Sequence, residues 1–158
     1  MQIRKVIKSD NPQLAKVIRG VLNEMKVPAK GTAFADKELD NMHEAYSFPR
    51  SVYFVVESGS QVFGGAGVMP LNKGPKNICE LQKMYLHPMA RGKGIGSDLL
   101  KLCLSFAKKN KFSLCYLETM PYMVNAQKLY KKNGFIYINA PMGDTGHYSC
   151  PIWMTKEL

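Results

Sequence analysis

Twelve consecutive residues near the middle of the chain, Tyr85-Leu86-His87-Pro88-Met89-Ala90-Arg91-Gly92-Lys93-Gly94-Ile95-Gly96, lead from an apolar run through a short loop into a helical pattern. That order suits an anion. The first N–H groups of a helix lack internal partners and point outward, and the macrodipole adds roughly half a positive charge at that end. Glycines at 92, 94 and 96 let the backbone approach oxygen atoms closely, and Arg91 and Lys93 add full charges. A diphosphate would fit. The plain alternative is a tight turn, since glycine clusters often are no more than that. Two other phosphate loops fit less well. No Gly-Lys-Ser/Thr tripeptide follows at P-loop spacing, and the dinucleotide fingerprint G-x-G-x-x-G is here G-x-G-x-G. Glu118 ends the next strand, where a ribose-binding acid would stand. The turn nevertheless follows an antiparallel hairpin and leaves too little chain for a doubly wound sheet.

The elements that must hold this turn can be read from apolar periodicity. Residues 2–8 set Ile3, then Val6 and Ile7, among basic residues, which predicts a first strand. Asp10, Asn11 and Pro12 give an N-cap and a first-turn proline, so a helix should begin there. Its apolar positions, Leu14, Val17, Ile18, Val21, Leu22 and Met25, keep the helical period until Pro28. A second, shorter helix is predicted over 36–46. Residues 52–57 and 61–69 are apolar and partly β-branched, joined by Ser58-Gly59-Ser60 as a hairpin. A strand over 77–86 follows. Ile95, Leu99, Leu102 and Phe106 then make 94–109 helical. Residues 113–118 read as a strand, 123–132 as a helix closed by Asn133 and Gly134, and 135–138 and 148–154 as the last two strands. The result is a mixed α/β fold with a largely antiparallel sheet, in one domain over residues 1–158.

Composition narrows the function classes. At 158 residues and 46% hydrophobic, the chain can bury a proper core. No stretch reaches the roughly 18 apolar residues of a membrane helix, and the first residues alternate charge with apolarity, so a cytoplasmic protein without membrane contact is expected. Cys79, Cys103, Cys115 and Cys150 are widely spaced in apolar runs and read as buried thiols. The net charge of +10 draws polyanions, of which nucleic acid is one. The aromatics, however, lie in core-like runs without the consensus of a sheet-based RNA reader, so nucleic acid is not the expected partner.

The segment Arg91-Gly92-Lys93-Gly94-Ile95-Gly96 resembles the R/Q-x-x-G-x-G/A acyl-CoA signature of the GNAT superfamily of N-acetyltransferases. A second stretch, Asn125-Ala126-Gln127-Lys128-Leu129-Tyr130-Lys131-Lys132-Asn133-Gly134-Phe135, is similar to the family's N-x-x-A-x-x-L-Y-x-x-x-G-F segment, with the alanine directly after the asparagine. The resemblance spans nearly the whole chain. It implies a central, twisted, largely antiparallel sheet of about seven strands with four helices, splayed between strands 4 and 5. It also implies acetyl-CoA as acyl donor, whose phosphates would account for part of the basic charge. The N–H groups from Arg91 through Gly92, Lys93, Gly94, Ile95 and Gly96 to Ser97 would hold its diphosphate. Met84, Tyr85 and Leu86 would line its pantetheine arm, with backbone pairing from Met84 and Leu86, and Asn125 would hydrogen-bond it.

Acetyl transfer from a thioester needs a neutral amine, a donor for the oxyanion and an acid for the leaving thiolate. By the resemblance, Tyr130 is the general acid and the Leu86 N–H the oxyanion donor. Glu80, eleven residues before Arg91, stands where several family members carry a catalytic glutamate. A carboxylate in an apolar strand gains basicity on desolvation, although an ion pair or exposure at the strand start would also explain it. Glu118 is the substitute base, or orients substrate or water. His147, in Gly143-Asp144-Thr145-Gly146-His147-Tyr148, is a candidate for holding substrate. No histidine and carboxylate group shows metal-ligand spacing, so no catalytic metal is expected. Asp36, Glu38, Asp40 and Glu44 form an acidic segment that would suit a cationic acceptor, a small-molecule or peptide amine. A homodimer is compatible with the resemblance. The alternative class is a non-catalytic acyl-CoA sensor or a basic nucleic-acid-binding module.

Overall fold

A computed structural model describes residues 1–158. The strands β1 (Gln2–Lys5), β2 (Val52–Ser58), β3 (Gln61–Pro70), β4 (Ile78–Leu86), β5 (Leu114–Thr119), β6 (Ile136–Ile138) and β7 (Ile152–Glu157) form one sheet in the order β1-β2-β3-β4-β5-β7-β6. All neighbours are antiparallel except β4 and β5, which run parallel. The helices are α1 (Asn11–Glu24), α2 (Met42–Ala45), α3 (Ile95–Lys109) and α4 (Val124–Lys132). No helix is long and apolar enough to cross a membrane.

Alternation along β2 shows how the layers form. Val52 and Val56 join the core on the α3 and α4 face, while Tyr53 and Val55 join the α1 face. Both faces are covered, so the strand reads as an almost continuous apolar run. On α1 the fully buried Leu14, Ile18 and Leu22 repeat at helical spacing, each worth roughly 1.5–3 kcal/mol of burial. Packing therefore fixes this helix more than its cap does. Asp10 stands at the N-cap but makes no side-chain cap bond; it accepts from the Ile7 N–H at 2.9 Å and from Arg4 at 2.7 and 2.9 Å.

The structure corrects three predicted boundaries. β1 stops at Lys5 because a 3-10 turn over Lys8–Asp10 takes up the following residues. The predicted helix over 36–46 is broken into a 3-10 turn, Lys37–Asp40, and the single turn of α2. There Asp36, Glu38 and Asp40 bond to other elements in preference to stacking as one helix face. β7 begins at Ile152, later than 148, because residues before it belong to a loop: the Ser149 N–H bonds the Gly31 carbonyl at 2.9 Å. Cys79, Cys103 and Cys115 are buried and Cys150 is half-buried; all are free thiols.

Candidate active site

The parallel ladder between β4 and β5 joins Ile78, Cys79 and Glu80 to Leu114, Cys115 and Tyr116, then ends, although both strands continue. A bulge explains the separation. Against β3, Gly65 pairs with Tyr85 but Gly67 with Gln82, so β4 carries one extra residue, and Lys83 takes a positive φ of 49° within it. A bulge adds twist and turns a strand from its neighbour. Beyond Glu80 the two strands bound a cleft lined by Glu80, Met84, Glu118, Met123, Tyr130 and His147, among others.

Gly96 abuts the lining residue Met84, and just before it Gly92 and Gly94 have φ of 71° and 78°, with no atom within 4 Å of a Cβ placed at either. Glycine is needed there for conformation, not for want of space. Ser97 and Asp98 bond back to the Gly94 carbonyl, at 2.9 and 3.2 Å, whereas the N–H groups of residues 92–96 donate to no protein atom. This is a cradle of free donors at the start of α3. Arg91 does not serve as a loose charge beside it. Its guanidinium is held by both carboxylate oxygens of Glu24 at 2.8 Å, and its Nε donates to the Leu86 carbonyl at 2.8 Å.

The β4 edge facing the cleft follows from strand alternation. The His87 N–H bonds the Phe63 carbonyl of β3 at 2.9 Å, so the N–H of Leu86, one residue earlier, points to the opposite edge. Tyr85 pairs with Gly65 of β3, so its peptide groups face away from the cleft while its side chain is half-buried. Gly64 makes this approach possible, since a Cβ there would lie 2.1 Å from the Tyr85 carbonyl. Asn125 is exposed on the first turn of α4. Tyr130 lies one turn and a half further on, buried against Phe135, with ring centroids 5.8 Å apart. Burial raises its pKa, and no hydrogen bond offsets this.

Glu80 is 2% exposed and has no cationic partner at bonding distance; it accepts from the Gln82 amide at 2.6 Å, and Gln82 in turn accepts from the Tyr46 hydroxyl at 2.7 Å. Burial pushes its pKa up to about 7, with the Glu118 charge adding to the rise. Glu118 accepts from the hydroxyls of Tyr116 at 2.6 Å and Thr145 at 2.9 Å. Glu80, Glu118 and His147 each direct one donor or acceptor atom to the same spot, all within 4.8 Å of one another. Sequence spacing did not reveal this grouping, because strand β4, strand β5 and the β6–β7 loop contribute one residue each.

His147 and the acidic segment meet here too. His147 Nε2 lies 3.1 Å from Asp36, and Nδ1 lies 3.9 Å from Glu118. Burial would lower the imidazole pKa, but the Asp36 hydrogen bond and charge outweigh it and raise the value. Asp36 also pairs with Lys83 at 2.7 Å, and Glu38 reaches the same ammonium at 3.3 Å. The expected acidic wall is therefore largely paired off: Asp36 and Glu38 hold Lys83, Asp40 holds Arg19, and Glu44 accepts from Asn11.

Set against known families, the profile of the Acetyltransferase (GNAT) family matches residues 21–135. The chain belongs to the GNAT acetyltransferase family. YjgM, an uncharacterized N-acetyltransferase of Escherichia coli (strain K12), is 41% identical over 157 residues, covering 99% of this chain and 94% of that protein. N-acetyltransferase 8B of Rattus norvegicus is 34% identical over 87 residues, 54% of this chain and 39% of its own length. A GNAT acetyltransferase from Staphylococcus aureus Mu50 shares the fold, with a TM-score of 0.88 at 21% identity over 99% of this chain and 98% of its own. The yncA protein of Salmonella typhimurium, solved with its cofactor acetyl-CoA, has a TM-score of 0.77 at 21% identity, over 100% of this chain and 94% of its own.

As a GNAT acetyltransferase, the protein is an acyltransferase enzyme, and its mostly antiparallel sheet with one parallel pair is the family fold. Sequence reasoning missed Lys83 and Gln82. The signal was a lysine inside an apolar strand of a chain that sets four of its twelve acids at 36–44.

Glu80 has a consequence for stability that can be measured. Its folded pKa of about 7 lies above the ordinary 4.5, so between these values the folded state binds more protons than the unfolded state, and stability falls as pH rises. The full difference is about 3 kcal/mol. Glu80→Gln removes it. The Tm of the variant relative to wild type should rise by several degrees between pH 5 and pH 8, and a flat or falling difference in calorimetry would contradict the burial argument.

Proposed function

We propose that the protein binds acetyl-CoA on the Arg91–Gly96 turn and transfers the acetyl group directly to a primary amine. The juxtaposition that carries this reading is a buried carboxylate, Glu80, and an unbonded hydroxyl, Tyr130, lining the same cleft, with free N–H groups on the turn whose Gly96 abuts the lining residue Met84. The residues present fit the donor. Five unbonded N–H groups at a helix start suit a diphosphate, and the unpaired β4 edge suits an extended arm with amide groups.

Acetyl-CoA supplies the thioester carbonyl that the amine attacks and the thiolate that leaves. Glu80 takes the proton from the amine nitrogen, directly or through one water. The Leu86 N–H donates to the carbonyl oxygen as it gains charge. Tyr130 gives its hydroxyl proton to the departing sulfur and is reprotonated from solvent. Glu118, held by two hydroxyls, orients the incoming nitrogen. His147 and Asp36 close that side of the cleft, where the acceptor would enter.

Replacing Tyr130 by phenylalanine tests the acid role at constant shape. A roughly 10²-fold fall in kcat, with KM for acetyl-CoA within about twofold of wild type, is the expected result in an amine-dependent CoA-release assay. Unchanged kcat would remove Tyr130 from the chemistry and leave it a core residue.

A further inference from the structure

We propose that the acceptor is an amine with no carboxylate beside it, and that the Lys83–Asp36 pair sets this preference. The inference rests on the transferase reading and names the class of acceptor.

An amino-acid acceptor brings an α-carboxylate close to the reacting nitrogen, and a closed cleft must answer it with a free cation or several free donors. This cleft has no free lysine or arginine, and of the unbonded hydroxyls on its lining, Tyr85 and Tyr130, the second is assigned to the leaving sulfur. The one lysine or arginine that lines it is Lys83, whose side chain is 1% exposed and is already held by Asp36 and Glu38. Of the two nitrogens of His147, one faces Asp36 and the other Glu118. What remains on offer at the meeting point is carboxylate: Glu80 through its second oxygen, and Glu118. An ammonium group approaching there finds acceptors for its three N–H donors. A carboxylate finds like charge and no free lysine or arginine, which discriminates by repulsion instead of attraction. The rest of the lining, including Val27, Ala33, Met120, Met123 and Cys150, suits an apolar or weakly polar chain attached to the amine.

The test uses matched pairs of similar amine basicity: phenylalaninol with phenylalanine, and leucinol with leucine. In wild type, kcat/KM for the member lacking the carboxylate should exceed that of the amino acid at least tenfold. Asp36→Asn frees Lys83 from its shorter contact and should narrow the ratio at least threefold. A merely structural Asp36 would lower both members equally and leave the ratio unchanged, which would overturn the assigned role of the pair. Should that variant fail to fold, Glu38→Gln, at a more exposed position, carries the same readout. Amino acids turned over within threefold of their partners, or faster, would overturn the preference and leave the transferase reading standing. Acetyl-CoA binding with no turnover of any amine would overturn the transferase reading, and the preference with it.

Discussion

Glu80→Gln is expected to lower kcat/KM for the acceptor amine by roughly 10² to 10⁴ while leaving acetyl-CoA affinity within about threefold. The substitution keeps shape and removes charge. Glu80 qualifies as base because it is buried, lacks a cationic partner at bonding distance and is held by a neutral amide, so proton affinity is not spent on an ion pair. With a pKa of about 7, the wild-type kcat/KM should rise with pH through that value as Glu80 ionises, and the variant should lose this limb. Glu118→Gln supplies the contrast. Its carboxylate is occupied by two hydroxyls, so it should raise KM for the amine more than it lowers kcat, and the limb near 7 should persist. A limb that survives Glu80→Gln and disappears in Glu118→Gln would exchange the two roles.

Gly94→Asp should weaken acetyl-CoA binding at least 100-fold, equivalent to about 2.7 kcal/mol. Two effects add. A φ of 78° is costly for any residue with a Cβ, and a carboxylate at the start of α3 would repel the diphosphate from the free N–H groups. Open space around the position rules out a simple clash as the cause. Gly94→Ala isolates the conformational part and should show a smaller loss. Ligand-induced stabilisation gives the readout: at 100 times Kd the wild type gains about 2.7 kcal/mol and a matching rise in Tm, which the aspartate variant should lack at the same concentration.

Local chemistry in the sequence carried most of the fold. The glycines at 92, 94 and 96, the hairpin at Ser58-Gly59-Ser60 and the helical stripe of Leu14, Ile18 and Leu22 each act over a few residues, and each appears where it was read. The segment over 36–46 failed for the opposite reason. Its acidic residues look like one helix face, but they satisfy Lys83, Arg19 and Asn11 on distant elements, and such pairing has no local period. The site divides in the same way. Glu80 was legible because a carboxylate in an apolar strand needs a cause. Lys83 was not, since the bulge that buries it arises from the register between β3 and β4. Arg91 was legible as a full charge beside the glycine turn, yet Glu24 on α1 holds it, a contact fixed by how α1 packs.

Calorimetric titration of the wild-type protein with acetyl-CoA, with free CoA and NADH as comparison ligands, tests the central claim most directly. The account predicts one site of micromolar affinity for acetyl-CoA and none for NADH. No heat with either form of the coenzyme would mean that the glycine turn only reverses the chain, and would contradict the account.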